Sequence, residues 1–287
     1  MESFPVNRAL ALSRFSPEIA ILRYKTCRHP IMLVEIFPDY ETLSERAYEI
    51  VATLIRRKPN CVLGFATGST PLGLYRRLVE GYRRGELDFS KVVTFNLDEY
   101  VGLPPSHPQS YHHFMWENLF QHININPSNV HLPNGMVDDI EVHCDWYEEQ
   151  IRRAGGIDLQ ILGIGPNGHL AFNEPGSSLG SRTRIKTLSQ ATRRANARFF
   201  GSEEAVPRHA ITMGIGTIME ARRLLLLASG RAKARAVRAM LEGPISAMVS
   251  ATIVQLHRYA HVLLDAEAAS ELAYNHHDGI SEPFDVH

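Results

Sequence analysis

The sequence of 287 residues lacks the features that mark a secreted, membrane-bound or nucleic-acid-binding protein. Its three cysteines, Cys27, Cys61 and Cys144, are far apart and form no CxxC pair, which argues against a disulfide framework and a structural zinc site. A formal net charge of −1 provides no electrostatic attraction for nucleic acid or an anionic membrane. No apolar run approaches the roughly 20 residues of a membrane span. We therefore predict a reduced cytoplasmic setting, with no nucleic-acid or membrane partner.

The sequence does have the composition of a globular α/β protein, with 44% hydrophobic and 21% charged residues. Short apolar runs alternate with segments of helical spacing, a pattern typical of parallel βαβ units. We predict a doubly wound, mostly parallel sheet with helices on both faces, of Rossmann-like type. Residues 1–31 are interpreted as an N-terminal extension without a signal-type apolar core, residues 32–270 as one α/β domain, and residues 271–287 as a C-terminal tail.

Individual strands and helices can be placed along this domain. The first strand precedes a helix that Asp39 could cap, and a later helix precedes the central strand. Strands are predicted at 31–37, 61–66, 92–97, 159–164, 209–213, 223–228 and 259–265, and helices follow residues 39 and 71 and cover 142–153 and 251–257.

The stretch Asp158–Pro175, DLQILGIGPNGHLAFNEP, reads as a buried strand that runs into an active-site loop. In open α/β sheets ligands lie at the carboxyl ends of the strands, where this loop would be. His169 could transfer a proton near neutral pH, and Glu174 could orient its imidazole. Taken residue by residue, an ordinary loop with a surface histidine is an equally good interpretation.

Residues 67–71, TGSTP, form a small-residue turn between a predicted strand and a predicted helix. This arrangement suits a phosphate, because free N–H groups and the positive end of the helix dipole both point at the anion. Ser69 and Thr70 add hydroxyl donors. The turn is neither a P-loop nor a dinucleotide fingerprint, and a capped helix without a ligand is the alternative.

Two adjacent carboxylates, Asp98 and Glu99, follow the strand predicted at 92–97. Side chains alternate along an extended segment, so only one of the two can face a cleft. A solvated acidic turn is the alternative. The nearby His107, His112 and His113 lack the spacing and the carboxylate partner of a metal site, so we expect no metal there.

These segments together resemble the glucosamine-6-phosphate deaminases, which convert glucosamine 6-phosphate and water to fructose 6-phosphate and ammonia in amino-sugar catabolism. The resemblance covers about residues 32–270 and is carried by NGHLAFNEP, by ATGSTP, and by FNLDEYVGLP followed by HPQSYHHFM, all in the family's order. It implies a sugar phosphate as the substrate and no cofactor, because no step of the reaction requires a redox centre.

The resemblance also assigns roles to residues. It implies that Asp98 is the base that moves the C2 proton, and that His169, oriented by Glu174 and Asn167, assists ring opening. The phosphate would be held by Thr67, Gly68, Ser69, Thr70, Arg198 and Lys233. Arginine suits this task because its planar fork binds two phosphate oxygens. Some family members have aspartate where this chain has Asn167, so the imidazolium should be held less strongly here.

A regulatory site is implied as well. Ser177, Arg184 and Lys186 match positions that contact the allosteric activator N-acetylglucosamine 6-phosphate at a subunit boundary in this family. Without the resemblance, the cations of 182–186 would be read as an exposed, solvated strand or loop. We therefore expect a homo-oligomer such as a hexamer. The chain from residue 273 onward departs from the family's tail, which contributes to that site, so altered or weakened activation is expected.

Two other functions are compatible with parts of the sequence. A 6-phosphogluconolactonase is similar in fold and has a related glycine–histidine loop, but it lacks the FNEP ending and the aspartate as placed here. A non-catalytic sugar-phosphate-sensing domain would accompany a helix-turn-helix module, and residues 1–31 are too short and lack a two-helix pattern for one.

Overall fold

A computed structural model describes residues 20–23 and 31–273, so most of the predicted extension and nearly all of the predicted tail lie outside the described residues. The helices and strands alternate as predicted through most of this range. In chain order they are β1 (Ala20–Arg23), β2 (Ile31–Phe37), α1 (Tyr40–Arg57), β3 (Val62–Phe65), α2 (Leu72–Arg83), β4 (Val93–Asn96), β5 (Asp98–Tyr100), α3 (Tyr111–Asn118), β6 (Val130–His131), α4 (Ile140–Arg153), β7 (Leu159–Leu162), β8 (Arg184–Thr187), α5 (Gln190–Phe200), β9 (His209–Thr212), α6 (Ile215–Met219), β10 (Leu224–Ala228), α7 (Ala234–Glu242) and β11 (Tyr259–Asp265).

An eight-stranded sheet forms the centre of the fold, in the order β1-β2-β11-β10-β7-β3-β4-β6. Every neighbouring pair is parallel except β1 and β2, which are antiparallel. The predicted fold class, a mostly parallel doubly wound sheet, is therefore confirmed. β1 lies within the segment interpreted as an extension.

Both faces of this sheet are buried under helices. In β10 the side chain of Leu226 packs into one core, with α4, α6 and α7, whereas Leu225 and Leu227 pack into the other, with α1, α2 and α3. All five residues of β10 are buried. Because both faces of such a strand are buried, its sequence is a continuous apolar run rather than an alternation of apolar and polar residues.

The helix ends follow from local sequence. Asp39 caps α1 by accepting a hydrogen bond from the Thr42 N–H at 2.8 Å, as predicted. Glu41 lies in the first turn of α1 and Arg56 and Arg57 in the last, where the helix dipole favours them. Within the described residues, no helix is both long and apolar enough to cross a membrane.

A second, antiparallel sheet in the order β5-β9-β8 was not predicted from the sequence. The expected strand at 92–97 ends at Asn96, and the chain then changes sheets. Leu97 connects the two sheets. Its N–H donates to the Phe65 carbonyl of the main sheet at 3.1 Å, and its own carbonyl accepts from the Met213 N–H, next to β9, at 2.6 Å. β9, expected in a single sheet with the others, thus pairs with β5 and β8 instead.

Candidate active site

A cavity of about 520 Å³ opens at the carboxyl ends of β3 and β7, where the two parallel strands are neighbours. This is the expected position of a ligand site in an open α/β sheet. The cavity brings together nine of the residues that the sequence singled out, from five separate segments: Thr67, Gly68, Ser69, Thr70, Asp98, Asn167, His169, Arg198 and Lys233.

The small-residue turn after β3 forms one wall of the cavity. Gly68 has a φ of +101°, a conformation that favours glycine, and α2 begins at Leu72 without a side-chain cap. The Tyr40 hydroxyl supports the turn from behind: it lies 2.9 Å from the Thr70 carbonyl and accepts a hydrogen bond from the Gly73 N–H at 2.7 Å. The uncapped start of this helix suits an anion.

Asp98 and Glu99 point in different directions, as the alternation predicts. Asp98 lines the cavity although only 6% of it is exposed. Glu99 faces the start of α3 and accepts backbone hydrogen bonds from Tyr100, Tyr111 and His112 at 2.8, 2.9 and 2.8 Å. Glu99 therefore binds backbone, and neither carboxylate belongs to a solvated acidic turn.

Burial changes the proton affinity of both carboxylates. It raises the pKa of Asp98 to about 8, and the negative charge of Glu99 adds to that shift. Burial raises the pKa of Glu99 to about 6, opposed by the backbone N–H groups that it binds. Asp98 can therefore both take up and release a proton near neutral pH, as a general base must.

His169 lies in the same cavity, against the glycine loop. A Cβ on Gly165 would be 2.5 Å from its Nε2 atom, so the close approach of the ring requires a glycine there. Burial lowers the pKa of His169, the negative charge of Glu174 opposes this, and the positive charge of Lys233 adds to it. The imidazole is therefore favoured in its neutral form, which can accept a proton.

The expected partners of this imidazole do not hydrogen-bond to it. Asn167 Oδ1 accepts from the backbone N–H of His169 at 3.4 Å, and Glu174 Oε1 accepts from the Ser189 N–H at 3.0 Å. His169 Nδ1 and Glu174 Oε2 are both buried and have no hydrogen-bond partner among the described residues. Glu174 does not line the cavity, so it acts on the ring through its charge.

Two cations face the cavity from other elements. The Lys233 ammonium donates a hydrogen bond to the Ile164 carbonyl at 2.7 Å, which ties it to the end of the β7 segment. The pKa of Lys233 is lowered by burial and then by the nearby charge of Arg198. The Arg198 guanidinium carbon lies 4.6 Å from the centre of the Phe199 ring. Two neighbouring cations that repel each other suit a shared anion.

The residues assigned to regulation are not brought to this cavity. Ser177 is buried, and its hydroxyl has no hydrogen-bond partner among the described residues. Arg184 and Lys186 lie on β8, where Arg184 donates to the Arg182 carbonyl at 3.2 Å. No group of three or more His, Cys, Asp or Glu side chains in the described ranges could hold a metal ion.

The sequence did not identify the aromatic wall of the cavity. Tyr111 lines the cavity and stacks on Phe172 with ring centres 5.9 Å apart, and its hydroxyl lies 3.4 Å from that of Tyr100. The side chain of Thr67, in the small-residue turn, is near enough to the Tyr111 hydroxyl to lower its pKa, although burial raises that pKa more. Nothing in the helical spacing of this segment distinguishes a tyrosine that lines a cavity from one in the core.

Comparison with known proteins is consistent across sequence and structure. Residues 40–263 match the family model of glucosamine-6-phosphate isomerases and 6-phosphogluconolactonases. A glucosamine-6-phosphate deaminase of Thermoanaerobacter sp. (strain X514) is 56% identical over 239 residues, which are 83% of this chain and 94% of the relative. Glucosamine-6-phosphate deaminase 2 of Bacillus subtilis (strain 168) is 54% identical over 243 residues, 84% and 98% of the two chains.

Solved structures give the same picture. A glucosamine-6-phosphate deaminase described as monomeric superposes with a TM-score of 0.81 at 49% identity, covering 83% of this chain and 99% of its own. A 6-phosphogluconolactonase from Trypanosoma brucei superposes with a TM-score of 0.68 at 20% identity, covering 84% and 98%, and shares the fold.

Proposed function

The chain belongs to the family of glucosamine-6-phosphate isomerases and 6-phosphogluconolactonases, and from that premise we propose that it is a glucosamine-6-phosphate deaminase. The reaction converts glucosamine 6-phosphate and water to fructose 6-phosphate and ammonia, a step of amino-sugar catabolism. The observation that carries this proposal is Asp98: a buried carboxylate with a pKa of about 8 that lines a cavity also lined by two cations and a histidine.

The substrate phosphate would lie between the start of α2 and the two cations. Backbone N–H groups and hydroxyls of Thr67–Thr70 would donate to it from one side, and Arg198 and Lys233 would bind it from another. Binding of the phosphate would hold the sugar with its reacting carbons toward Asp98 and His169. Substrate binding would then also orient the substrate for proton transfer, which lowers the barrier.

The chemistry then needs two proton-transferring groups. Neutral His169 would take the proton of the anomeric hydroxyl and pass it to the ring oxygen as the bond between C1 and that oxygen breaks, which opens the pyranose. Asp98, in its ionised form, would take the proton from C2 and return it to C1 of the enol-type intermediate. C2 then becomes an imine, water adds to it, and ammonia leaves as the C2 carbonyl forms. General acid–base groups of this kind contribute about 10² to 10⁴ each.

The rival activity within the same family is hydrolysis of 6-phosphogluconolactone, which requires no base that shuttles a proton between two carbons. Incubating the purified protein with glucosamine 6-phosphate and measuring ammonia and fructose 6-phosphate tests the proposal. We expect the two products in equal amounts. Hydrolysis of the lactone without release of ammonia would refute the deaminase and support the rival, and binding of sugar phosphates without turnover would support a sensing domain.

We further propose that the protein is cytoplasmic, forms a homo-oligomer, with a hexamer as one possible form, and binds N-acetylglucosamine 6-phosphate through Ser177, Arg184 and Lys186. The resemblance of these positions to the family's allosteric contacts supports this, as does the buried, unpartnered hydroxyl of Ser177 within the described chain. A related deaminase described as monomeric makes the oligomeric state a point to be measured.

A further inference from the structure

The loop that carries His169 and Glu174 has an unfavourable backbone conformation. Ala171 has a φ of +51°, the left-handed region that residues with a Cβ rarely adopt. Gly168 and Gly176, which lie near the two ends of the loop, also have positive φ values of +79° and +82°. A strained conformation of this kind persists only where surrounding structure holds it in place.

A segment from another part of the chain holds this loop along its length. We call Ala247–Ala251 the brace. The Gly176 N–H donates to the Ala247 carbonyl at 2.9 Å, and the Ala251 N–H donates to the Gly168 carbonyl at 2.9 Å. Between these contacts, a Cβ on Gly168 would be 2.5 Å from Val249 Cγ1, so brace and loop are in close contact.

Ser250 supplies the side-chain contacts of the brace to the loop. Its hydroxyl accepts a hydrogen bond from the Leu170 N–H at 3.1 Å and donates one to the Asn173 carbonyl at 3.3 Å. These two groups lie on either side of Ala171, so one oxygen atom ties both ends of the strained turn to the brace. The turn also has its own hydrogen bond, from the Asn173 N–H to the Leu170 carbonyl at 3.0 Å. Ser250 is 1% exposed, so water cannot replace either bond.

Other contacts fix the turn from the opposite side but do not duplicate this one. The backbone N–H of Phe172 donates to Thr212 Oγ1 at 3.1 Å, and the side-chain amide of Asn173 donates to the Met213 carbonyl at 2.9 Å. Both partners belong to β9 or the residue that follows it. Without Ser250, the Leu170 N–H would lose its bond on the side that faces the brace.

We propose that Ser250 is a positioning residue of the active site. It ties both ends of the turn around Ala171 to the brace and thereby sets the separation of His169 and Glu174, which have no hydrogen bond to each other. It does not touch the substrate. Its effect on turnover rests on the proposed deaminase function, whereas its effect on the loop does not.

The first test measures the loop without reference to activity. In hydrogen–deuterium exchange of the full chain, peptides covering residues 168–176 should exchange at least about tenfold faster in Ser250→Ala than in wild type. Ser250→Thr keeps the hydroxyl and should restore slow exchange. Ser44→Ala is the matched control, because Ser44 is also 1% exposed but lies on α1 and its hydroxyl has no hydrogen-bond partner among the described residues.

The second test measures catalysis by ammonia release. Ser250→Ala should lower kcat by about tenfold to a hundredfold, since small displacements of catalytic groups have effects of this size. KM should stay within about twofold, because the phosphate contacts lie on other segments. Ser250→Thr should recover most of the lost kcat, and Ser44→Ala should keep both constants.

The outcomes separate the two claims. Unchanged exchange at 168–176 in Ser250→Ala would overturn the proposal whatever the enzyme does. Faster exchange with unchanged kcat would overturn the positioning role. If wild type released no ammonia, the deaminase assignment would fail, and the exchange experiment would still decide whether Ser250 holds the loop.

Discussion

At the scale of single residues, Asp98 and Glu99 show how environment separates two neighbouring carboxylates. Strand alternation directs Asp98 into the cavity and Glu99 toward three backbone N–H groups. Both are buried, but among the described residues only Glu99 has hydrogen-bond partners, so the pKa of Asp98 rises further, to about 8 against about 6 for Glu99. Asp98 is therefore the carboxylate available to a substrate.

The uncompensated burial of Asp98 predicts that Asp98→Asn is at least as stable as wild type at pH 7. Folding raises the pKa of Asp98 from its ordinary value of 3.8 to about 8. The free energy of unfolding of wild type should therefore fall as the pH rises from about 4 to about 8, because the buried carboxylate ionises less readily than the same group in the unfolded chain. Asparagine avoids that cost. Thermal unfolding between pH 4 and pH 8 should show the variant gaining on wild type as pH rises. If Asp98→Asn became less stable relative to wild type as the pH rises over this range, the raised pKa of Asp98 would be contradicted.

The charge of Glu99 predicts how the pH dependence of the reaction moves. The base must be ionised, so kcat/KM of wild type should rise with pH through about 8, the pKa of Asp98 in the free protein. Glu99 is ionised at that pH and its charge raises the pKa of Asp98. Glu99→Gln should therefore shift this limb to lower pH, as measured by ammonia release from pH 5 to 9. If the rise of kcat/KM with pH occurred at the same or a higher pH in Glu99→Gln, the charge of Glu99 would not raise the pKa of Asp98.

At the scale of strands and helices, the sequence predicts those features that neighbouring residues determine. Strand β7 and the glycine loop after it, the cap of α1 and the turn before α2 all follow from short-range chemistry. β5 and its pairing with β9 do not, because a three-residue strand has no detectable period and its partner is distant in the chain. Ser250 is missed for the same reason: it is 80 residues from the Leu170 N–H that it accepts from.

Helix α5 provides a matched pair of variants for the phosphate site. Arg198 lines the cavity, whereas Arg194, one turn earlier, points away and pairs with Glu203 at 3.1 Å. Arg198→Ala should raise KM for glucosamine 6-phosphate by roughly 10- to 150-fold, the equivalent of a charge-assisted hydrogen bond of about 1.5–3 kcal/mol.

Arg194→Ala is the control and should leave KM within about twofold of wild type. Steady-state kinetics with both variants distinguish a specific contact from a general effect of charge on α5. Equal increases in KM, or wild-type turnover of glucosamine lacking phosphate at the same rate as the phosphorylated sugar, would rule out this phosphate site.

At the scale of the whole molecule, one eight-stranded sheet and a small antiparallel sheet bring nine predicted residues to one cavity and leave four outside its lining. One is Glu174, which acts on His169 through its charge, and the other three are the predicted regulatory positions, Ser177, Arg184 and Lys186. This separation is what a second site for a second ligand requires.

A regulatory role predicts a measurable link between assembly and ligand. We expect light scattering to give a homo-oligomer and N-acetylglucosamine 6-phosphate to change the apparent KM. This change should be weakened if the tail no longer contributes to the site. Arg184→Ala should abolish the effect of the ligand here and leave basal kcat intact. A monomer with hyperbolic kinetics that the ligand does not alter would sink this proposal.

In the proposed mechanism Asp98 moves a proton from C2 to C1, and labelling with deuterium can follow that transfer. With glucosamine 6-phosphate in heavy water, wild type should release ammonia, and solvent deuterium should appear at C1 of fructose 6-phosphate to the extent that the proton on Asp98 exchanges with solvent before its return. Asp98→Asn should still bind substrate, but turnover should fall on the order of 10² or more, the usual scale for loss of a general base. Near-normal turnover of Asp98→Asn, or a greater loss in Glu99→Gln, would contradict the account.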